Sequence, residues 1–345
     1  DSHVPAPKVA AEDRLFLQQV NNLASDLGTS GFGDAGLPNP SKAARVLRFV
    51  QQGRRLWPEL GESGTVQSKG FEEVNPDCPF WRNGRGKYIR ALKCHISAIN
   101  TKSTDEETRR ELLADLGFVL SRGFLTEEEE AALVDYWRPN GPAFRQGLNE
   151  QHTNRRFFHY GPILPKQAFG TTRSTLGVIP GLLGAMPTVV EELGLRSRIR
   201  AVAEGLGDRH LTFDQLYVNH YSAVAKGRIG FHHDHPGTMC GAVAGASLLG
   251  ECEFQLLALD AELAGQPVAF VRLPRRSLYV MSGISRYHLQ HGIPAHSVDR
   301  LSMTFRSVDV AGAGGTRKQW ARKWSEIPPA EAAKCHWPLL QPPSG

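Results

Sequence analysis

RIGFHHDHPGT, residues 228–238, sets three histidines and one aspartate at four consecutive positions. Along a β-strand successive side chains point to opposite faces, so His232 and Asp234 share one side and His233 and His235 the other. Two donors spaced i and i+2 can reach one metal ion. A third has to arrive from another segment, and SRYHLQHGIPAH, residues 285–296, offers His288, His291 and His296.

The same alternation sorts two further stretches. In RLSMTFRS, residues 300–307, Arg300, Ser302, Thr304 and Arg306 fall on one face, and Leu301, Met303 and Phe305 on the opposite, core-packing face. Two arginines turned into an enclosed space need anions, because an unpaired buried cation is costly. A small dicarboxylate answers that need, since a guanidinium clamps a carboxylate through two parallel hydrogen bonds. In FDQLYVNHYS, residues 213–222, one face carries Phe213, Gln215, Tyr217, Asn219 and Tyr221, so an amide and a phenol can bond the same ligand. Two histidines and a carboxylate on one facet of an iron leave positions open for an oxo-acid and dioxygen together.

Around these segments the chain is a series of short apolar runs separated by turn residues. LTFDQLYVNHY, GAVAGASLLG, EFQLLAL, VAFVRL, RSLYVMSG and RLSMTFRSV are the pattern of an antiparallel sandwich or jelly roll. FVLSRGFL, before them, suggests one more strand. Helices flank the runs: DEETRRELLADLG, a helix opened by a capping box of Thr126 and Glu129, and PTVVEELGLRSRIRAVAEGLG. The expected fold class is therefore α+β with a mainly β core, a double-stranded β-helix with flanking helices. Residues 1–104, with EDRLFLQQVNNLASDLG and SKAARVLRFVQQGRRLW at helical spacing, read as a helical N-terminal extension of unassigned role. Residues 105–310 read as the domain that holds the site, and 311–345 as a basic, Pro-rich tail.

The chain has 345 residues, 41% of them apolar, enough for a sizeable core. No run approaches the roughly 18 apolar residues that span a bilayer, and DSHVPAPKV does not resemble a secretory signal. A soluble protein with no membrane partner is expected. The chain opens at Asp1 rather than Met, so targeting is not readable from it. Five cysteines without a CxxC pair suit neither a disulfide framework nor a thiolate zinc site, which points to a reducing, intracellular compartment, cytoplasm or nucleus. The formal charge of +5 is modest, but the cations cluster. FWRNGRGKYIRALK, residues 80–93, has no acid, and RKQWARKW, residues 317–324, interleaves cations with Trp320 and Trp324. Cations beside stacking rings suit single-stranded nucleic acid; a solvated basic face is the equal alternative for each stretch.

Taken in order, N-x-Y at Asn219 and Tyr221, H-x-D at His232 and Asp234, HGI at His291, and R-x5-R at Arg300 and Arg306 resemble the AlkB family of iron(II)/2-oxoglutarate dioxygenases. LPRRSLYVMSGISRYHLQHGI, residues 273–293, is similar to the same stretch in several eukaryotic members, including the tRNA-modifying branch. The likeness covers roughly residues 110–310. It implies that His232, Asp234 and His291 hold Fe(2+), that 2-oxoglutarate and O2 are co-substrates, and that Arg300 pairs the distal carboxylate of 2-oxoglutarate with help from Asn219 and Tyr221. Arg306 would then steady the chelating end, and Ser302 would stand where the family often has asparagine.

The substrate that the resemblance implies is a modified base, flipped or single-stranded, in RNA or DNA, with RNA favoured. It would be demethylated or hydroxylated. In the family's repair enzymes an acidic residue two places after the ligand aspartate reads the damaged base; here that place is Pro236, which argues against repair of N1-methyladenine and N3-methylcytosine. NEQHTNRRFFHYGPIL, residues 149–164, looks like the nucleotide-recognition lid, with Arg155 and Arg156 for phosphate and Phe157, Phe158, His159 or Tyr160 for stacking. A strand with aromatic core contacts fits the same residues. Arg286 is a second candidate at the substrate mouth. Three other readings stand beside this one: the same chemistry on a protein side chain or small molecule, a zinc hydrolase using His233, His235 and a distant ligand, and a binding module without turnover. His288 and His296 are expected to be surface or loop histidines.

Overall fold

A computed structural model of the chain describes residues 91–139, 141–145, 150–151, 155–163, 173–174, 177–178, 182–183, 185–206, 211–234, 239–258, 268–295 and 297–308. The two helical stretches expected before residue 70, most of the basic run 80–93 and all of 317–324 lie outside them.

The described chain divides into two compact units: the first runs to Leu116 and takes in Ala258–Ala269, and the second comprises Gly117–Leu257 and the residues from Phe270. The first contains α1, a helix over 91–100, and α2, Glu106–Asp115. Asp105 caps α2 by accepting a 2.8 Å bond from the Thr108 backbone N–H, one of the donors a helix leaves unpaired at its start. Within this unit His95 Nε2 sits 2.8 Å from the Leu112 carbonyl, and the Asn100 amide donates to the Val268 carbonyl.

The second unit is built on strands. They are β1 Phe118–Ser121, β2 Glu150–Gln151, β3 Arg155–Tyr160, β4 Pro162–Ile163, β5 Arg173–Ser174, β6 Gly177–Val178, β7 Leu182–Leu183, β8 Gln215–Tyr221, β9 Ile229–His232, β10 Met239–Ser247, β11 Cys252–Ala258, β12 Ala269–Leu273, β13 Leu278–Met281, β14 Leu289–Ile293 and β15 Arg300–Val308. Seven form a major sheet in the order β1-β13-β10-β15-β8-β3-β2, and four a minor sheet in the order β12-β11-β14-β9. This is the mainly β jelly-roll core with flanking helices that the strand spacing predicts. β4 with β7, and β5 with β6, make two-stranded pairs.

Helices cover one face of the major sheet. α3, Glu127–Trp137, starts at the Thr126–Glu129 capping box read from the sequence: each backbone N–H donates to the other's side chain, at 3.0 and 3.1 Å. Its acidic first turn is held by arginines, Arg276 on Glu127, Arg198 on Glu129 and Arg275 on Glu130. The run 187–207, expected as one helix, is two: Thr188–Glu192 and Leu195–Gly205. Gly194, at φ 59°, breaks it, because a left-handed residue cannot continue a right-handed helix. Leu133, Trp137, Val190 and Ile199 from these helices bury against Phe158, Leu216, Val218, Leu301, Met303 and Phe305 of the sheet.

On β15 and β8, then, the residues of one parity pack under the helices, and those of the other face the minor sheet. β10 is rich in glycine and alanine for a steric reason. A Cβ at Gly245 would lie 2.3 Å from the Tyr279 ring, its register partner on β13, so this strand gives up volume to let Tyr279 lie across it.

Candidate metal centre and co-substrate pocket

Between the two sheets lies a cavity of about 650 Å³. His232 ends β9, Asp234 follows two residues on, and His291 stands opposite His232 in the β14–β9 register. One donor atom from each lies within 4.8 Å of the others, the only such cluster of histidine, cysteine and carboxylate side chains among the described residues. Strand spacing alone left three candidates for the third member; the pairing of β14 with β9 brings in His291, the one that the family resemblance implied. His288, expected at the surface or in a loop, sits in the turn that caps the helix Gly283–Tyr287 and is buried there, while His235 and His296 lie outside the described residues.

The surroundings of each donor leave one atom toward the shared point. His232 Nδ1 is 2.9 Å from the Gly230 carbonyl, which can only accept, so Nδ1 carries the proton and Nε2 keeps its lone pair. The His291 ring stacks on Phe254, with centroids 5.6 Å apart and planes 18° apart. Asp234 gives Oδ1 to Arg306 at 2.6 Å, whereas Oδ2 is buried without a hydrogen-bond partner and lies 3.9 Å from His291 Nε2. A buried carboxylate oxygen with no donor is an unmet demand for positive charge.

The protonation states agree with metal binding. Burial lowers the pKa of His232, and pushes that of His291 well below its ordinary value. Both imidazoles are therefore neutral near pH 7, the form that coordinates. Burial opposes ionisation of Asp234, but the Arg306 guanidinium 2.6 Å from it outweighs that and holds the carboxyl well below the usual carboxylate range. Two neutral imidazoles and one carboxylate on one facet are a donor set that fits ferrous iron.

Arg300 occupies the other end of the cavity, 1% exposed. It donates from Nη1 to Ser302 Oγ at 2.9 Å and from Nη2 to Ser247 Oγ at 3.1 Å, and lies 5.3 Å over the Tyr221 ring. Among the described residues no carboxylate pairs with it, and its Nε has no partner. Asn219 and Tyr221 face the same space, with Asn219 opposite Ser302 and Tyr221 opposite Arg300 across β8 and β15. Asn219 Oδ1 accepts a 3.0 Å bond from Arg155 Nη1.

Several expected positions change. Residues 155–160 form a full strand of the major sheet, so their parity decides their roles. Arg155 and Phe157 line the cavity; Phe158 and Tyr160 lie on the helix-facing side, 0% and 3% exposed. The Tyr160 hydroxyl accepts from Trp137 Nε1 at 3.1 Å. Phe158 and Tyr160 are thus core residues and not stacking platforms. Arg156 shares their parity and stands opposite His220. Arg286 is not at the mouth either: it is 2% exposed and donates to the Asp234 and Met239 carbonyls at 2.8 and 3.0 Å, tying the two ends of the ligand loop together. Phe213, expected on the face of Asn219, precedes β8 with φ 44° and buries in the helix-facing core beside Leu216 and Val218. Pro236 lies outside the described residues.

Ser247, Phe231 and Tyr279 were not singled out in the sequence. Ser247 meets Arg300 only because β10 pairs with β15, and Tyr279 enters from β13, so no local motif announces either. No helix among the described residues is long and apolar enough to cross a membrane.

No curated protein matches the chain. Among solved structures, the structure of OsALKBH1 aligns over 55% of this chain and 98% of its own, with 18% identity and a TM-score of 0.39. A crystal structure of an oxidoreductase of the 2OG-Fe(II) oxygenase family from Burkholderia pseudomallei aligns over 61% and 91%, with 16% identity and a TM-score of 0.38. The family described as the 2OG-Fe(II) oxygenase superfamily matches residues 117–306, more than half of the chain and all of the strands that line the cavity. The chain belongs to the 2OG-Fe(II) oxygenase superfamily, and is a dioxygenase that uses Fe(2+), 2-oxoglutarate and O2.

Proposed function

We propose that this dioxygenase is AlkB-like and oxidises a modified base in nucleic acid, with RNA favoured over DNA. His232, Asp234 and His291 hold the iron. Bound there, the iron supplies the oxidising chemistry, in which 2-oxoglutarate and O2 give succinate and CO2 and one oxygen atom is inserted into a substrate C–H bond. Arg300 clamps the distal carboxylate of 2-oxoglutarate, with Ser302, Tyr221 and the Asn219 amide around it. Arg306 neutralises Asp234 and keeps it oriented. If the oxidised carbon is attached to nitrogen, the product loses an aldehyde and is demethylated; if attached to carbon, it keeps the hydroxyl.

The observation that carries the nucleic-acid reading is the charge of the cavity. Among the described residues that line it, Arg155, Arg300 and Arg306 stand against the single carboxylate of Asp234, a surplus of two positive charges. Fe(2+) and the 2-oxoglutarate dianion cancel each other, so the surplus remains for the primary substrate. An anionic substrate with a planar group meets both Arg155 and the Phe157 ring beside it, 5.8 Å apart. The order of motifs and the likeness of 273–293 to the tRNA-modifying branch favour RNA, and Pro236 in place of an acid argues against the repair substrates.

The test supplies the chain with Fe(2+), 2-oxoglutarate and O2 together with single- and double-stranded oligomers that carry a panel of modified nucleosides, and follows nucleoside masses. Loss of one methyl or gain of one oxygen in single-stranded RNA is the expected result. No mass change in any oligomer, with succinate formed in the presence of a peptide pool, overturns the proposal.

A further inference from the structure

Arg155 is the one lining guanidinium that touches neither the carboxylate of Asp234 nor the hydroxyls that hold Arg300. It donates from Nη1 to Asn219 Oδ1 at 3.0 Å, and its guanidinium carbon lies 5.8 Å from the centroid of Phe157. An amide whose oxygen is turned toward a donor points its NH2 group, with two donors, the other way. Asn219 stands on β8 with β3 on one side and β15 on the other. Across β15 its register partner is Ser302, which accepts from Arg300 Nη1 at 2.9 Å. A continuous line of polar contacts and register neighbours thus runs from the outer guanidinium, through one amide, to the inner one.

We infer that Arg155 is a positioning residue through which the primary substrate and 2-oxoglutarate sense each other. An anionic group of the substrate, bound by the donors of Arg155 that Asn219 does not use, holds that side chain in place and with it the orientation of the Asn219 amide, whose NH2 is the donor offered to the co-substrate. A guanidinium suits this task because its donors form a rigid fork that can grip two partners at once. The coupling is positive in sign: bound substrate tightens 2-oxoglutarate. Direct electrostatics between two anions in one cavity gives the opposite sign, so the sign itself separates the two accounts. Linkage requires the reverse effect as well, with 2-oxoglutarate tightening the substrate by the same factor. The inference rests on the reading of the Arg300 end as the 2-oxoglutarate site.

The test uses the full chain loaded with Fe(2+) under anaerobic conditions, so that nothing turns over, and measures the Kd of 2-oxoglutarate by calorimetry alone, with a saturating short single-stranded RNA, and with a polyglutamate peptide. RNA is expected to lower that Kd about fivefold, at the low end of ordinary coupling. In Asn219→Ala the charge of Arg155 is intact, so RNA still binds, but the ratio falls to about one. In Arg155→Lys the point charge still draws RNA and the ratio again falls toward one. Either variant suffices if the other fails to fold, as judged by circular dichroism. RNA that binds the unaltered chain and leaves the Kd of 2-oxoglutarate unchanged or raises it overturns the inference while leaving the nucleic-acid reading in place. A fivefold tightening by polyglutamate, with no binding of RNA, keeps the inference and removes the nucleic-acid reading. A ratio that survives in Asn219→Ala, or the failure of both anions to bind, overturns the inference.

Discussion

Replacing Arg300 with methionine changes two quantities in ways that a structural residue cannot imitate. This guanidinium is 1% exposed, with two serine hydroxyls and an aromatic face beside it and, among the described residues, no carboxylate partner. Methionine forfeits two hydrogen bonds, about 1 kcal/mol each on net, but it also removes a desolvated cation, and apolar replacement of buried charge is often neutral or stabilising. The stability of the ligand-free chain is therefore expected to change by less than about 2 kcal/mol in either direction.

With 2-oxoglutarate bound the balance reverses. Two charge-assisted bonds to its distal carboxylate contribute about 1.5–3 kcal/mol each, so losing them weakens binding by roughly 10²- to 10⁴-fold. Two measurements read these effects: urea midpoints of the ligand-free protein, and the KM for 2-oxoglutarate in succinate formation. A variant that loses more than about 3 kcal/mol without ligand and keeps its KM would mean that Arg300 is a structural cation, and the assignment of this end of the cavity would be wrong.

Other outcomes follow from the same geometry. His291→Ala should abolish iron-dependent succinate formation and lower the iron affinity at least 100-fold, to order of magnitude, by equilibrium dialysis; a fully active variant is incompatible with the triad. Phe158→Ala should cost about 3–5 kcal/mol in denaturant unfolding, as for a large ring removed from a core, while the activity per folded molecule stays the same. Loss of substrate affinity at unchanged stability would instead place that ring at the pocket. Burial lowers the pKa of His159 to about 3 and, together with Arg286, that of His233 to about 4. Both are neutral in the folded chain, whereas in the unfolded chain they take up protons below about 6.5, so the unfolded state binds more protons across this window. Their contribution to stability is fully present above pH 6.5 and is lost as the pH falls toward 4 and then 3, which urea midpoints against pH would show as a rising limb up to 6.5 and a plateau beyond it. A midpoint flat between pH 4.5 and 6.5 would contradict their burial in the neutral form.

Local chemistry made much of this protein legible in one dimension. The i, i+2 spacing of His232 and Asp234 and the alternation along 300–306 both rest on the two-residue period of a strand; 300–306 is strand throughout, whereas β9 ends at His232 and Asp234 lies just beyond it, its carboxylate still within reach of the same point. The capping box at Thr126 and Glu129 is local in the same sense. Parity fails where the strand does not reach: Phe213 lies before β8, at a positive φ, and its side chain turns to the other layer. It also fails without an anchor. In 155–160 two arginines and four rings alternate without an apolar–polar contrast, so either face could have been the buried one, and only the pairing of Arg155 with Tyr221 and of Phe157 with Asn219 decides that Phe158 and Tyr160 go under the helices.

By itself, then, the sequence determined which residue types stand at strand spacing: the imidazole and carboxylate pair, the two inward arginines, the amide and phenol beside them, and hence the class of chemistry. Tertiary structure decided that β14 brings His291, the histidine of the HGI motif, opposite His232, that Ser247 crosses from β10 to hold Arg300, that Arg286 is buried and ties Asp234 to Met239, and which ring of the pair Phe157 and Phe158 sees the cavity. The physical reason is that hydrogen-bond register between strands far apart in the chain sets these choices. A slip of one residue in that register would exchange every inward side chain for an outward one while leaving the local spacing unaltered.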